Sequence, residues 1–326
     1  RNGRNAPLRA LAGRRAVDHG PNMRLAATLA SLATMTIVPP PAALLPPIRT
    51  AARPLGVAAA LLTVLATFIG GQLAGAAIAV LAALAVVVAR GGAPPVDSLT
   101  SEPLFISVAA LAAGATLVLA SWVALRVVRV PFRAGTALRG ARVVHVALAL
   151  LLVFAAGPFA DLAVQAFRSA FPEVTLGLLE SIGEAAQASG LSLLVLLVSV
   201  SLVPGIAEEI FFRGLVQRSL TARLGAPLGI GLASLLFGAF HVDPPQAIGA
   251  AVLGVALGFI VWRTKSVVPA IVAHAANNAL ALALARQPLE PAEVDLATRV
   301  WVLVISGIIA GMAIVGLVRT TPPEDA

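Results

Sequence analysis

From Leu191 the chain runs apolar as far as Val216, and the second half of this run carries Glu208-Glu209-Ile210-Phe211-Phe212-Arg213. The residues leading into the cluster, Leu191 to Ile206, hold no charge, and the whole run is long enough to cross a bilayer. Each charged side chain at the centre of such a helix costs about 2.5–3.5 kcal/mol even on the lowest insertion scales. A chain that keeps two carboxylates and a guanidinium there must gather partners around them inside a helical bundle. Intramembrane ionisable groups of this kind mark functional sites by default. Helical spacing divides their roles. Glu209 and Arg213 are four apart and can pair along one face. Glu208 is rotated by about 100° and is free to point elsewhere. One carboxylate is therefore read as structural and the other as reactive.

The rest of the chain fits a membrane setting. Hydrophobic residues make up 59% and charged residues 12%, against roughly 25% charged in an ordinary soluble domain. The mean hydropathy is +0.96. Soluble α/β or all-β architectures are excluded, and the expected fold is an all-α, polytopic transmembrane bundle of about eight spans. A net charge of +8 would suit a nucleic-acid binder, but most of the arginines lie in the N-terminal stretch and in short loops, where they set topology. No nucleic-acid partner is expected, and the bilayer is the first partner. The chain has no cysteine, so disulfides, thiolate zinc sites and a cysteine nucleophile are excluded.

Taken in order, residues 1–53 read as a disordered, basic, Pro-rich cytoplasmic tail. Its first methionine is Met23, which leaves open a start there or a longer protein. Leu25 to Val38 imitates a signal-peptide core, but cleavage is not the expectation. Residues 54–189 hold the first three spans: Leu55–Ala89 as one long or tilted helix, Leu104–Leu125, and Val143–Ala166 interrupted by Asp161. Between the second and third lies the most basic loop, with Arg126, Arg129, Arg133, Arg139 and Arg142. The segment from Phe171 to Gly190 is acidic and reads as an outer, interfacial helix. Residues 190–287 form the expected core, with spans at Leu191–Val216, Pro227–His241, Gln246–Trp262 and Val267–Ala285. Residues 288–326 add Glu290, Glu293 and Asp295 outside, a last span at Arg299–Leu317 and a short tail. Basic loops alternate with acidic ones, which puts both ends in the cytoplasm. His145 beside Arg142 reads as an interfacial residue, and Trp122, Trp262 and Trp301 as belt aromatics. An Ala- and Arg-rich composition suits a high-GC bacterium and hence its inner membrane.

Of the four histidines, His241 and His274 lie in apolar helices. Phe237 and His241 share one face, as do His274 and Asn278. Helices four, five and seven each carry a small polar stripe, and the three stripes are satisfied together if they face one cavity. A carboxylate, two imidazoles and an amide in such a cavity suit hydrolysis by activated water, with the carboxylate as general base and neutral donors at the oxyanion.

Glu-Glu-x-x-x-Arg, Phe-x-x-x-His and His-x-x-x-Asn, in this order on successive membrane helices, resemble the CPBP family, which comprises the type II CAAX prenyl endopeptidases and the bacteriocin-processing enzymes. Phe211-Phe212-Arg213-Gly214 resembles its bacterial members. The resemblance covers roughly residues 190–285. It implies a membrane-embedded protease in which Glu208 activates water with His241, His274 and Asn278 support the oxyanion or a metal, and Glu209, Arg213 and Phe237 shape the site. The family is usually called metalloproteases. Glu208, His241 and His274 are three groups able to ligate a divalent ion such as zinc, but there is no His-Glu-x-x-His, and the sequence does not show a metal site. The implied substrate is a peptide precursor or a membrane-protein tail, prenylated or not. Two other readings stay open: a catalytically silent immunity or scaffold protein of the same fold, and a proton-coupled transporter. The transporter lacks support from matched broken helices, since the Pro204-Gly205 break has no counterpart elsewhere.

Overall fold

The computed structural model describes residues 55–90, 101–174, 178–287 and 295–321. The expected tail over residues 1–53, most of the loop holding Pro94, Pro95 and Asp97, and Glu290 and Glu293 lie outside the described residues.

The described chain is helical throughout. It comprises α1 (Val57–Arg90), α2 (Pro103–Val127), the single turn α3 (Phe132–Gly135), α4 (Val143–Ala170), α5 (Leu178–Ala185), a composite α6 (Gly190–Leu224), α7 (Ala226–Ala239), α8 (Pro244–Thr264), α9 (Val268–Ala285) and α10 (Leu296–Thr320). Seven of these are long and apolar enough to cross a membrane. They correspond to the expected spans except the fifth. That one is α7, whose 14 residues rise only ~21 Å at about 1.5 Å per residue. The first span is a single helix, as its unbroken apolar run predicts.

Local chemistry sets the ends. Proline stands in the first turn of α7, α8 and α9, where its missing N–H costs nothing. Lys265 takes a left-handed φ of 54° to turn α8 into α9. Asp295 caps α10 by accepting from the Thr298 backbone N–H at 2.8 Å. The last carbonyls of α10 are met by cations: Arg263 donates to the Val318 and Thr321 carbonyls (3.1 and 2.9 Å) and Arg142 to that of Thr320 (2.9 Å).

Three apolar clusters share the core, and the two larger ones hold the site. Phe211, Phe212, Leu215, Val216 and Phe237 pack with residues of α1 and α2. Leu152, Val153, Leu257 and Ile260 pack with residues of α9 and α10. The C-terminal half of α6 lies in the first, so its polar stripe is held between helices on both sides.

His145, near the start of α4, is buried, and its Nε2 faces the Thr320 carbonyl at 3.4 Å; the end of α10 lies over it. The basic loop after α2 is packed against the bundle. Its Thr136 is fully buried, Arg218 donates to the Ala134 and Gly135 carbonyls at 2.7 Å, and Val267 N–H reaches the Ala137 carbonyl at 3.2 Å. The close approach depends on Gly214, where an added Cβ would stand 2.6 Å from the Thr136 carbonyl oxygen. Gly214→Ala is expected to push this loop off α6 at a cost of about 1–3 kcal/mol, read as a lower melting temperature in detergent.

Candidate active site

The site is built on α6, which is not a regular helix. It is π-helical over Val198–Leu202 and again over Glu209–Gln217. Such widened turns recur at functional positions in helices. Glu209, Arg213 and Gln217, spaced by four, form one buried stripe, each 2% exposed or less.

Glu209 Oε1 lies 3.0 Å from Arg213 Nη1, the pairing read from the spacing. The same oxygen accepts from His274 Nδ1 at 2.9 Å. Across the ring, His274 Nε2 is 3.8 Å from Glu208 Oε2, within ion-pair range but too long for a hydrogen bond. His274 thus stands between the two carboxylates. The side chain of Glu209 is 0% exposed and that of Glu208 18%, so of the two acids only Glu208 is open to a reactant. Breaking a buried ion pair such as Glu209 with Arg213 by removing one partner typically costs about 3–5 kcal/mol.

Phe237 is the hub on the opposite wall. Its ring carries the Arg213 guanidinium, with Cζ 4.0 Å from the centroid, a cation–π contact in a dry setting. The His274 and His241 rings meet it edge-on, with centroids 5.8 and 4.9 Å away. His241 Nδ1 donates to the Phe237 carbonyl at 3.0 Å, so the neutral ring keeps its lone pair on Nε2. His241 does not join the ion-pair cluster. Asn278, one turn beyond His274 on α9, donates to the Val200 carbonyl at 3.4 Å. Glu208, Glu209, Arg213, Phe237 and His274 are therefore brought together. His241 borders them through Phe237, and Asn278 lies toward the N-terminal half of α6.

These placements bear on the expected metal. His274 is occupied through Nδ1 by Glu209, and His241 is engaged through Nδ1 by the Phe237 carbonyl. Among the described residues no three His, Asp or Glu side chains are grouped so that they could hold a metal ion. The set Glu208, His241 and His274 does not fit one as it stands, and no step below is routed through a metal.

Residues outside the sequence motifs complete the walls. Gly205 lets α9 approach, since a Cβ there would lie 3.0 Å from the Ala275 backbone nitrogen. Gly254 and Gly258 make room on α8: a Cβ at Gly254 would stand 3.2 Å from Arg213 Nη2, and one at Gly258 2.5 Å from Gln217 Oε1. Gln217 Nε2 donates to the Gly258 carbonyl at 2.9 Å. The signals were present as Gly-x-x-x-Gly at 254–258 and as a third polar residue four after Arg213.

With this geometry in hand, residues 190–280 match the family described as type II CAAX prenyl endopeptidase Rce1-like. No curated protein and no solved structure matches the chain. The matched stretch runs from the start of α6 into α9 and holds every residue of the cluster. The seven membrane-length helices make the chain an integral, multi-pass membrane protein.

The α7–α8 turn of this stretch carries one more buried acid. Asp243 is 5% exposed, and among the described residues its Oδ1 has no hydrogen-bond partner. Burial pushes its carboxyl above the usual carboxylate range; Arg168 opposes this, Glu180 adds to it and His241 opposes it. The folded state therefore holds this proton more tightly than the unfolded chain, and the stability it confers is lost as pH rises from the ordinary carboxylate range through the raised value. Asp243→Asn is expected to flatten that decline and to melt higher than wild type at neutral pH, as thermal scans across pH would show.

Proposed function

We propose that the chain is an intramembrane endopeptidase that hydrolyses a peptide bond in or near the bilayer with water activated by Glu208. The observation that carries the reading is the asymmetry of the paired acids: Glu209 is sealed against Arg213 and His274, while Glu208 stays partly exposed, its buried Oε2 turned toward the same imidazole. The match to an endopeptidase family over these same residues supports it.

In this mechanism Glu208 takes a proton from water, and the hydroxide attacks the scissile carbonyl carbon. His241 accepts the second O–H of the water at Nε2 and orients it, because its Nδ1–H is committed to Phe237. The abstracted proton is held between Glu208 Oε2 and His274 Nε2, two acceptors that face each other across 3.8 Å. When the tetrahedral intermediate collapses, the C–N bond breaks and that proton goes to the leaving amine. Glu209 and Arg213 take no part in bond making. They fix the His274 ring so that Nε2 points at Glu208. The substrate class is a peptide precursor or the tail of a membrane protein, and no nucleic-acid partner is part of the proposal.

The test is hydrolysis of a fluorogenic peptide panel, with and without a prenyl-cysteine, by purified protein in detergent. Glu208→Gln is expected to lower kcat by at least about a hundred-fold, the lower end of what a general base supplies. Folded Glu209→Gln is expected to keep part of the activity. Activity that survives a chelator is the expected outcome for this geometry. Wild type and Glu208→Gln equally inert across the panel would turn the reading to a silent scaffold of the same fold.

The orientation is part of the proposal, with the Arg-rich loop cytoplasmic and both termini on that side of a bacterial inner membrane. Because the chain has no cysteine, single cysteines report it directly. Exposed Arg133→Cys is expected to react with an impermeant maleimide only from the cytoplasmic side, and exposed Glu173→Cys only from the opposite side.

A further inference from the structure

Asp243 stands at the N-cap of α8, the position from which Asp295 caps α10. Asp243 does not cap: its side chain accepts no backbone N–H of α8. Two local causes are visible. The next two residues are Pro244 and Pro245, and a proline has no N–H to give. The chain also turns sharply before the helix. The Asp243 N–H reaches the His241 carbonyl at 2.6 Å, two residues back, around Val242 at a left-handed φ of 63°. This is the pattern of a γ-turn of the rare, strained kind, centred on a β-branched residue, for which a positive φ is an outlier. Strain of this sort gathers at active sites and ligand clamps. The turn leaves Val242 59% exposed and brings Asp243 to 5%. Asp243 Oδ1 is buried without a hydrogen-bond partner among the described residues, and so is Gln246 Oε1. The two residues are three apart and hence neighbours on the first turn of α8.

We infer that Asp243 and Gln246 form a subsite for a cationic group with N–H donors: the ammonium of a lysine or the guanidinium of an arginine in the peptide substrate. Two buried acceptors left open call for a donor, and a buried carboxylate calls for a charge partner. Water brings donors but no charge. A hard metal ion needs more ligands than one carboxylate and one amide oxygen. Ammonium and guanidinium bring both donors and charge. The charged groups that act on Asp243 are Arg168 on α4, Glu180 on α5 and His241 after α7. With His241 neutral, two carboxylates meet one guanidinium, and the place stays net negative. Asp243 follows His241 by two residues, and His241 orients the water in the proposed mechanism. A long cationic side chain beside the cleaved bond is therefore the group that fits. The assignment to substrate rests on the endopeptidase reading; the cation site does not.

The experiment has two arms. The first compares N-acetylated peptides carrying Lys, Arg, norleucine or citrulline beside the cleaved bond. Wild type is expected to favour Lys and Arg over their neutral counterparts by on the order of ten-fold in kcat/KM, through KM. Asp243→Asn is expected to level that ratio. Gln246→Lys ties an ammonium beside Asp243 and is expected to level it too, which serves where Asp243→Asn does not fold. A ratio unchanged in both variants overturns the substrate assignment. A preference seen only with free N-termini overturns the side-chain source in favour of the α-amine. The second arm needs no turnover. n-Butylammonium is expected to raise the melting temperature of the wild type in detergent by about 2–4 °C at roughly four times its Kd. n-Butyltrimethylammonium has the same charge and tail but no N–H, and is expected to give no rise. No rise with n-butylammonium, an equal rise with both cations, or a rise that survives Asp243→Asn overturns the site. If the wild type is inert on every peptide, the endopeptidase reading fails, and the melting arm alone still decides the cation site.

Discussion

The bifurcated contact at Glu209 Oε1 governs the centre of this protein. One oxygen meets Arg213 at 3.0 Å and His274 at 2.9 Å, and no part of this acid reaches the surface. A carboxylate at such depth is costly unless it is paired. The pairing therefore dictates where α6 and α9 can sit relative to each other, and Phe237 closes over the guanidinium from α7. Three helices are in this way fixed by one charge. The neighbouring Glu208 inherits a defined position without being sealed itself.

The surrounding helices serve that centre by subtraction. Gly205, Gly254 and Gly258 lie where α9 or α8 comes closest to the polar stripe, and each is a place where a methyl group would collide. In lipid there is little hydrophobic drive between apolar helices, so close backbone approach and buried polar contacts supply the adhesion. The same positions that let the helices touch also leave room for the Arg213 and Gln217 side chains. Packing and charge placement are one design in this part of the chain.

Much of this was legible from residue order. The membrane-length runs, the single long first helix, a short helix between Phe171 and Gly190 and the Glu209–Arg213 pair all follow from hydropathy and helical spacing, which are local properties. What escaped is what depends on register and on contacts distant in sequence. No 3.6-residue periodicity announces the π turns of α6, and the bond from Gln217 to the Gly258 carbonyl depends on how α8 packs against α6. The ring of His274 could face an oxyanion or a carboxylate, and only the approach of α9 to α6 at Gly205 selects the two acids. The basic loop after α2 looked like a topological signal alone because its buried members, Thr136 and Ala137, are small and its arginines dominate the composition. The cover that the end of α10 gives His145 is another long-range contact that its neighbour Arg142 does not announce.

The short α7 has a bearing on the lipid as well as on the site. Its ~21 Å of apolar helix falls well below the roughly 30 Å of a bilayer's hydrocarbon core. The polar turn His241-Val242-Asp243 comes directly after it. Lipid next to this helix must thin, or headgroups and water must follow the turn inward, since neither an imidazole nor a buried acid settles among acyl chains. The membrane is then thinned beside the α7–α8 turn. On the proposed hydrolytic function, acyl-chain length becomes a control on how easily water and a polar peptide backbone enter the protein, written into the length of one helix.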